Sequence, residues 1–345
     1  MEFGYWLPVF GGWLRNVPDE GMDTSWNYVK KLAQRSEDWG YSLSLIAELY
    51  LNDIKGKEAP SLDAWSTAAA LAAVTEQLEI MVAVRPTFHN PAILAKQAAN
   101  IANISGGRLS LNVVSSWWRD EATKYGIHFE QHDDRYARTK EWLDIVTSVW
   151  AKDHFSYNGN YYNVEDNILQ PKPVKKPFIY AGGESEAAKA LISSQCDGYV
   201  MHGDSPELIG RRIANMRERR EALGLPPMKF GVAAYSIVRD NELEVKKELA
   251  RITDVNNTAA GFDNYQQWLA GTQLEGQLSL QEYSVSNRGL RSGLVGTPAK
   301  VQDRIAAFEA VGVDFFLLQC SPQLEEMERF SEAVIHAHKG AKLSA

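Results

Sequence analysis

One run of the chain, ISGGRLSLNVVSSWWRDE from Ile104 to Glu121, limits the possible folds more than any other stretch. Gly106 and Gly107 can take the left-handed backbone that stops a helix. Leu109, Leu111, Val113 and Val114 then give a strand with apolar side chains on both faces, the pattern of a parallel strand covered by helices. At its carboxyl end Asn112, Ser115, Ser116, Trp117, Trp118 and Glu121 crowd together, and parallel α/β proteins keep their chemistry at that end of the strands.

The same unit recurs along the chain. Strands are expected at Glu2 to Val9, Tyr41 to Glu48 and Leu78 to Arg85 before this one, and at Pro177 to Ala181, Gly198 to His202, Lys229 to Arg239 and Asp314 to Cys320 after it. Between them lie stretches of helical periodicity, such as Trp26, Val29, Leu32 and Ala33. Ser61 is a candidate cap for the helix after the second strand, and Asn90-Pro91 suits a helix start because proline's missing N–H costs nothing there. Asp153 to Pro173 is aromatic and turn-rich and reads as a hairpin. Eight strands alternating with helices favour a single (β/α)8 TIM barrel spanning residues 1–345 over an open sheet.

One region breaks the rhythm. Residues 256–296 show no strand pattern, are rich in Gly, Asn, Gln and Ser, and carry SNRGLRSG. A long insertion after the seventh strand is expected to be a mobile lid, with Arg288 and Arg291 at its charged tip.

Charge and cysteine usage exclude several classes. Thirty-six basic against 44 acidic residues leave a net charge of −8 without a polybasic run, which argues against nucleic acid or an anionic membrane as partner. Cys196 and Cys320 have no metal-binding spacing, and no His or carboxylate cluster suggests a metal. The amino terminus opens into a strand without a signal peptide, so a cytoplasmic setting is expected. No apolar run approaches the roughly 20 residues of a membrane span.

Within this frame Gly182-Gly183-Glu184-Ser185, between a late strand and a helix, reads either as a plain tight turn or as a phosphate cradle. In the second reading backbone N–H groups and a serine hydroxyl approach an anion at a positive helix end. Arg135-Tyr136 adds a cation and a phenol, or else only an exposed charge at a helix start. Trp117 and Trp118 either stack on a planar ring or close the barrel mouth. His89 and His202 lie at strand ends. Walker, G-x-S-x-G and G-x-G-x-x-G motifs are absent, so kinase, hydrolase and Rossmann dehydrogenase readings lack their signatures.

Taken together, SGGRLSLNVVSSWWRDE, HDDRYARTKEWL, IYAGGESEAA and RSGLVGTPAKV resemble the bacterial luciferase-like flavin monooxygenases over essentially the whole chain. The likeness is greatest to the two-component members that act on sulfones and alkanesulfonates or open pyrimidine rings. It implies FMN, used as FMNH2 from a separate NAD(P)H-dependent reductase, with O2 as co-substrate and a homodimer or homotetramer as the assembly. Carried over position by position, the flavin contacts fall on Ile46, Ala47, Asn112, Glu121, Arg135, Tyr136 and Ser185, with Gly183 in the phosphate turn.

The departures bear on substrate. Alkanesulfonate enzymes share Arg85 and a late-loop arginine, here Arg288 or Arg291, but carry Arg and His on the seventh strand where this chain has Ala233 and Tyr235. Their cysteine after the second strand corresponds to about Ser61, and their tryptophan at the end of the sixth to His202. A lost guanidinium is a lost bidentate anion partner, which favours a neutral sulfone. The expected activity is thus oxidation of a small organosulfur compound with carbon–sulfur cleavage, with Arg85, His89, Tyr235, Arg288 and Arg291 as catalytic candidates. The alternatives are opening of a pyrimidine or other amide-containing ring, a deazaflavin-dependent reductase, and a flavin store without turnover.

Overall fold

The computed structural model describes residues 1–129, 132–255, 260–271, 278–285 and 288–337. In chain order its first half comprises β1 (Glu2–Trp6), α1 (Trp26–Asp38), β2 (Leu43–Ile46), α2 (Ala64–Val74), β3 (Glu79–Val84), α3 (Pro91–Ile104), β4 (Leu109–Val113), α4 (Arg119–Lys124) and α5 (His132–Ala151). An antiparallel hairpin, β5 (Phe155–Asn158) and β6 (Asn163–Asn167), follows as expected. The alternation resumes with β7 (Phe178–Ala181), α6 (Glu186–Gln195), β8 (Gly198–Met201), α7 (Pro206–Ala222), β9 (Lys229–Tyr235), β10 (Ile237–Val238) and α8 (Glu242–Thr253). Next come α9 (Tyr265–Gly271), α10 (Leu280–Ser284), β11 (Val295–Gly296), α11 (Pro298–Ala310), β12 (Phe315–Gln319) and α12 (Gln323–Phe330).

Eight parallel strands close into a barrel in the order β1-β12-β9-β8-β7-β4-β3-β2, so the chain is an α/β TIM barrel. Alternation along each strand divides the core in two. Leu43, Leu45, Met81, Ala83, Tyr180, Val200, Phe315 and Leu317 fill the interior, while the intervening residues, such as Ile80, Val82, Leu109 and Leu111, pack against the helices. The organising strand behaves as its pattern requires: Gly106 and Gly107 have φ of 64° and 90° and end α3, and every residue of β4 is buried.

Three details differ from expectation. The seventh barrel strand stops at Tyr235, and residues 237–238 pair instead with Val295–Gly296, so the late insertion does contain a strand. Helix α2 starts at Ala64 under an Asp63 cap, whose carboxylate accepts from the Ser66 N–H at 2.7 Å and offers a stronger acceptor than the Ser61 hydroxyl. The sixth strand ends at Met201, and His202 lies just beyond it.

Of the expected lid, residues 256–259, 272–277 and 286–287 lie outside the described residues. The rest carries helices and a small core of its own, in which Trp268, Leu278 and Tyr283 pack with Phe262, Tyr265 and Leu269 onto Trp117 after β4. A buried ion pair ties this cap to the loops after β1 and β2. Arg15 Nη2 lies 2.6 Å from Asp53 Oδ2, Arg15 Nε donates to the Tyr283 carbonyl at 3.0 Å, and Asn264 Nδ2 donates to Asp53 Oδ1 at 2.9 Å.

Candidate functional site

Two groups of polar side chains occupy the carboxyl end of the barrel. The first gathers the loops after β2, β3 and β4. Arg85 continues the alternation that sends Met81 and Ala83 into the interior, and it is buried. Its Nη1 donates to Glu121 Oε2 and its Nη2 to Glu121 Oε1 at 3.3 Å, a two-point contact. Its backbone N–H donates to Glu48 Oε2 at 2.8 Å, and its Nε lies 3.5 Å from the same oxygen. The other oxygen of Glu48 is 2.6 Å from His89 Nε2. Glu121 accepts in addition from the Tyr50 N–H at 2.6 Å, and the Phe88 ring lies 4.0 Å from the guanidinium.

Burying two carboxylates beside one guanidinium is tolerable because nearly every lone pair finds a donor; removing the cation would leave uncompensated buried charge. Burial, reinforced by Glu48, pushes the Tyr50 hydroxyl above the usual tyrosine range, so Tyr50 stays a neutral donor.

The second group surrounds the turn after β7. Gly183 has φ of +154°, and a Cβ there would lie 2.6 Å from Ala188 Cβ and 3.1 Å from Tyr136 Oη, so only glycine fits the turn. Ser185 caps α6, its hydroxyl accepting from the Ala188 N–H at 3.2 Å. Tyr136 reaches in from α5. Burial raises its hydroxyl pKa, against the opposing effects of Ser185, Arg135 and Ser115, and it remains a donor at neutral pH. The Tyr199 hydroxyl donates to the Gly183 carbonyl at 2.8 Å and fixes the turn from behind. A helix amino terminus and two hydroxyls thus meet at one turn, groups able to donate to an anion.

Between the groups stands Asn112 on β4, in register with Ala83. Its Oδ1 is buried without a hydrogen-bond partner among the described residues. Ile46 ends β2 with its side chain in the helix-facing layer, and Ala47 follows, half-buried. Trp117 and Trp118 stack on each other, centroids 5.4 Å apart and planes 4° apart, and Trp117 carries the cap.

The late arginines are not an exposed tip. Arg288 is 1% exposed and pairs with Glu184 of the turn, while Arg291 pairs with Glu282, Nη2 to Oε2 at 3.0 Å, inside the cap. A buried guanidinium needs a carboxylate: the turn after β7 supplies one to Arg288, and the insertion itself supplies Glu282 to the partly exposed Arg291. Tyr235 ends β9 in register with Gln319 and is fully buried, and burial followed by Glu20, Cys320 and Glu248 pushes its hydroxyl well above the usual range. The structure brings Arg85, His89 and Glu121 together, and Gly183, Ser185, Tyr136 and Arg288 together, with Arg291 held by Glu282 beside the second group.

Glu48 and Glu184 were given no role of their own in the sequence. Both stand within three residues of a strand's carboxyl end, a position that could have marked them.

Comparison with known proteins agrees with this architecture. The chain is 33% identical over 343 residues to a protein named FMNH2-dependent dimethylsulfone monooxygenase from Pseudomonas fluorescens, covering 97% of this chain and 93% of that one. Among solved structures, a long-chain alkane monooxygenase superposes with a TM-score of 0.84 at 20% identity, covering 99% of this chain and 92% of the other. A riboflavin lyase holding a modified FMN superposes with a TM-score of 0.83 at 20% identity, covering 100% and 92%. At such identity these two speak for the fold alone. The profile of the luciferase-like monooxygenases matches residues 1–314, and the chain belongs to that family.

Proposed function

We propose that the protein is an FMNH2-dependent monooxygenase that uses O2 to oxidise a small organosulfur compound, a sulfone such as dimethyl sulfone, with cleavage of a carbon–sulfur bond. One observation carries the reading: the Gly183–Ser185 turn with Tyr136, a donor set for a phosphate, follows the strand next to the buried amide acceptor on β4 in a chain one-third identical to a sulfone monooxygenase.

The residues fit FMN. Ser185, Tyr136, Arg135 and the amino terminus of α6 would hold the phosphate. The Asn112 Oδ1, buried without a partner among the described residues, suits a ring N–H. Reduced flavin supplies the two electrons that let dioxygen react with a closed-shell substrate. Everything else falls to the chain. Trp117 and the cap packed on it keep water from the mouth, and Arg15 with Asp53 holds the cap to the loops after β1 and β2. The Arg85 network fixes the wall formed by the loops after β2, β3 and β4. A separate NAD(P)H-dependent reductase delivers the reduced cofactor.

Oxygen uptake tests the reading. With an FMN reductase, NADH and dimethyl sulfone, the protein should consume oxygen and release a sulfur product of one carbon fewer. Hydride transfer without oxygen uptake would point to the deazaflavin reductase, and flavin binding without turnover to storage.

A further inference from the structure

We infer that Glu121 and Glu48 determine specificity: by neutralising Arg85 they let the mouth admit a neutral sulfone and turn away its anionic isostere, a sulfonate. This rests on the organosulfur substrate proposed above. Dimethyl sulfone and methanesulfonate are nearly the same shape, one methyl group of the first being an oxyanion in the second. A cavity of fixed shape cannot separate them well, so charge must.

An anion held inside a protein needs a cation whose donors face it. At this mouth Arg85 is already matched to Glu121 on two atoms and to Glu48, Arg288 to Glu184, Arg291 to Glu282, and Arg15 to Asp53, while Arg135 is assigned to the phosphate. Around Arg85 the carboxylates outnumber the guanidinium. The other titratable groups packed there are His89, on Glu48, and Tyr50, whose backbone N–H is bound to Glu121. A sulfonate approaching Arg85 would have to displace a buried carboxylate or lie beside two of them; a sulfone brings no charge and meets neither obstacle. Loss of the seventh-strand arginine and histidine, where Ala233 and Tyr235 now stand, acts in the same direction.

The test compares methanesulfonate binding to the FMN-loaded protein, by calorimetry, in the wild type and in Glu121→Gln and Glu48→Gln. Amide replacement removes the competing negative charge and keeps the shape. Methanesulfonate should bind at least about tenfold more tightly to Glu121→Gln than to the wild type, and the gain should disappear when Arg85→Met is added. Glu48→Gln, which retains the two-point contact between Arg85 and Glu121, gives a smaller gain in the same direction and serves if Glu121→Gln does not fold. Wild-type protein that binds methanesulfonate as tightly as dimethyl sulfone would overturn the inference, and so would unchanged affinity in the folded variants. Failure of the wild type to turn over dimethyl sulfone would count against the proposed substrate alone, because sulfonate affinity is read without turnover.

Discussion

The two sides of the barrel mouth handle charge in opposite ways. On the β2–β4 side, two buried carboxylates share one guanidinium, and their oxygens are taken up by Arg85, His89 and backbone N–H groups. On the β7–β8 side, Glu184 alone pairs with Arg288 and lies 3.6 Å from Arg212, beside a turn rich in hydroxyls at the start of a helix. The first side carries more carboxylate than guanidinium. The second is rich in donors and suited to an anion. A cofactor with a phosphate at one end and a ring at the other matches such a divided mouth, with a neutral substrate near the acidic wall.

Removing the central cation of each side should separate them most sharply. Arg85→Ala leaves Glu121 without its cation and Glu48 with His89 alone, and urea unfolding should show a loss of about 3–5 kcal/mol, the usual cost of breaking a buried pair. Arg288→Ala leaves Glu184 with Arg212 at 3.6 Å and should cost distinctly less. Equal losses would mean that the sides are not built differently.

The phosphate side is sharpened by Ser185→Ala. FMN affinity should fall roughly tenfold, an effect of about 1 kcal/mol for one lost donor, while riboflavin affinity stays near its wild-type value. Parallel losses for both ligands would place Ser185 in the support of the helix and not on the phosphate.

A smaller effect is expected in the cap. Arg291 and Glu282 are both partly exposed, so Arg291→Ala should change stability by no more than about 1 kcal/mol. If the cap acts as the lid, product formed per oxygen consumed should nevertheless drop while FMN affinity holds. Unaltered coupling would reduce the pair to a local brace.

The smallest effect is a pH trend that belongs to neither side. Burial raises Cys196 from 9.0 to about 12 and moves Tyr41 and Tyr235 well above 10.0. Groups raised on folding lend stability that is complete below their unfolded values and is lost as pH climbs past them, because the unfolded chain releases protons that the folded chain keeps. Stability should therefore be flat up to about pH 8.5 and fall above it. A rise in stability through that window would contradict the assignment of these groups as buried and neutral.

The barrel was legible from period alone: strands apolar on both faces, as in Leu109–Val113, have few alternatives to a parallel sheet covered by helices. The Gly183–Ser185 turn was legible too, because a positive-φ glycine and a capping serine leave a local signature. The acidic wall was not. Glu48, Arg85, His89 and Glu121 meet only when three loops close over the barrel, and no local pattern shows that Glu121 turns inward onto Arg85. Arg288 and Arg291 misled for the same reason, since their partners Glu184 and Glu282 are set by tertiary packing.

Single turnover is the most direct test of the central claim. Protein loaded with reduced FMN is mixed with oxygen in the presence and absence of dimethyl sulfone, and sulfur product and hydrogen peroxide are measured together. The account predicts close to one product per flavin oxidised with the sulfone and peroxide alone without it. Full flavin oxidation to peroxide in both cases, with no sulfur product, would contradict it.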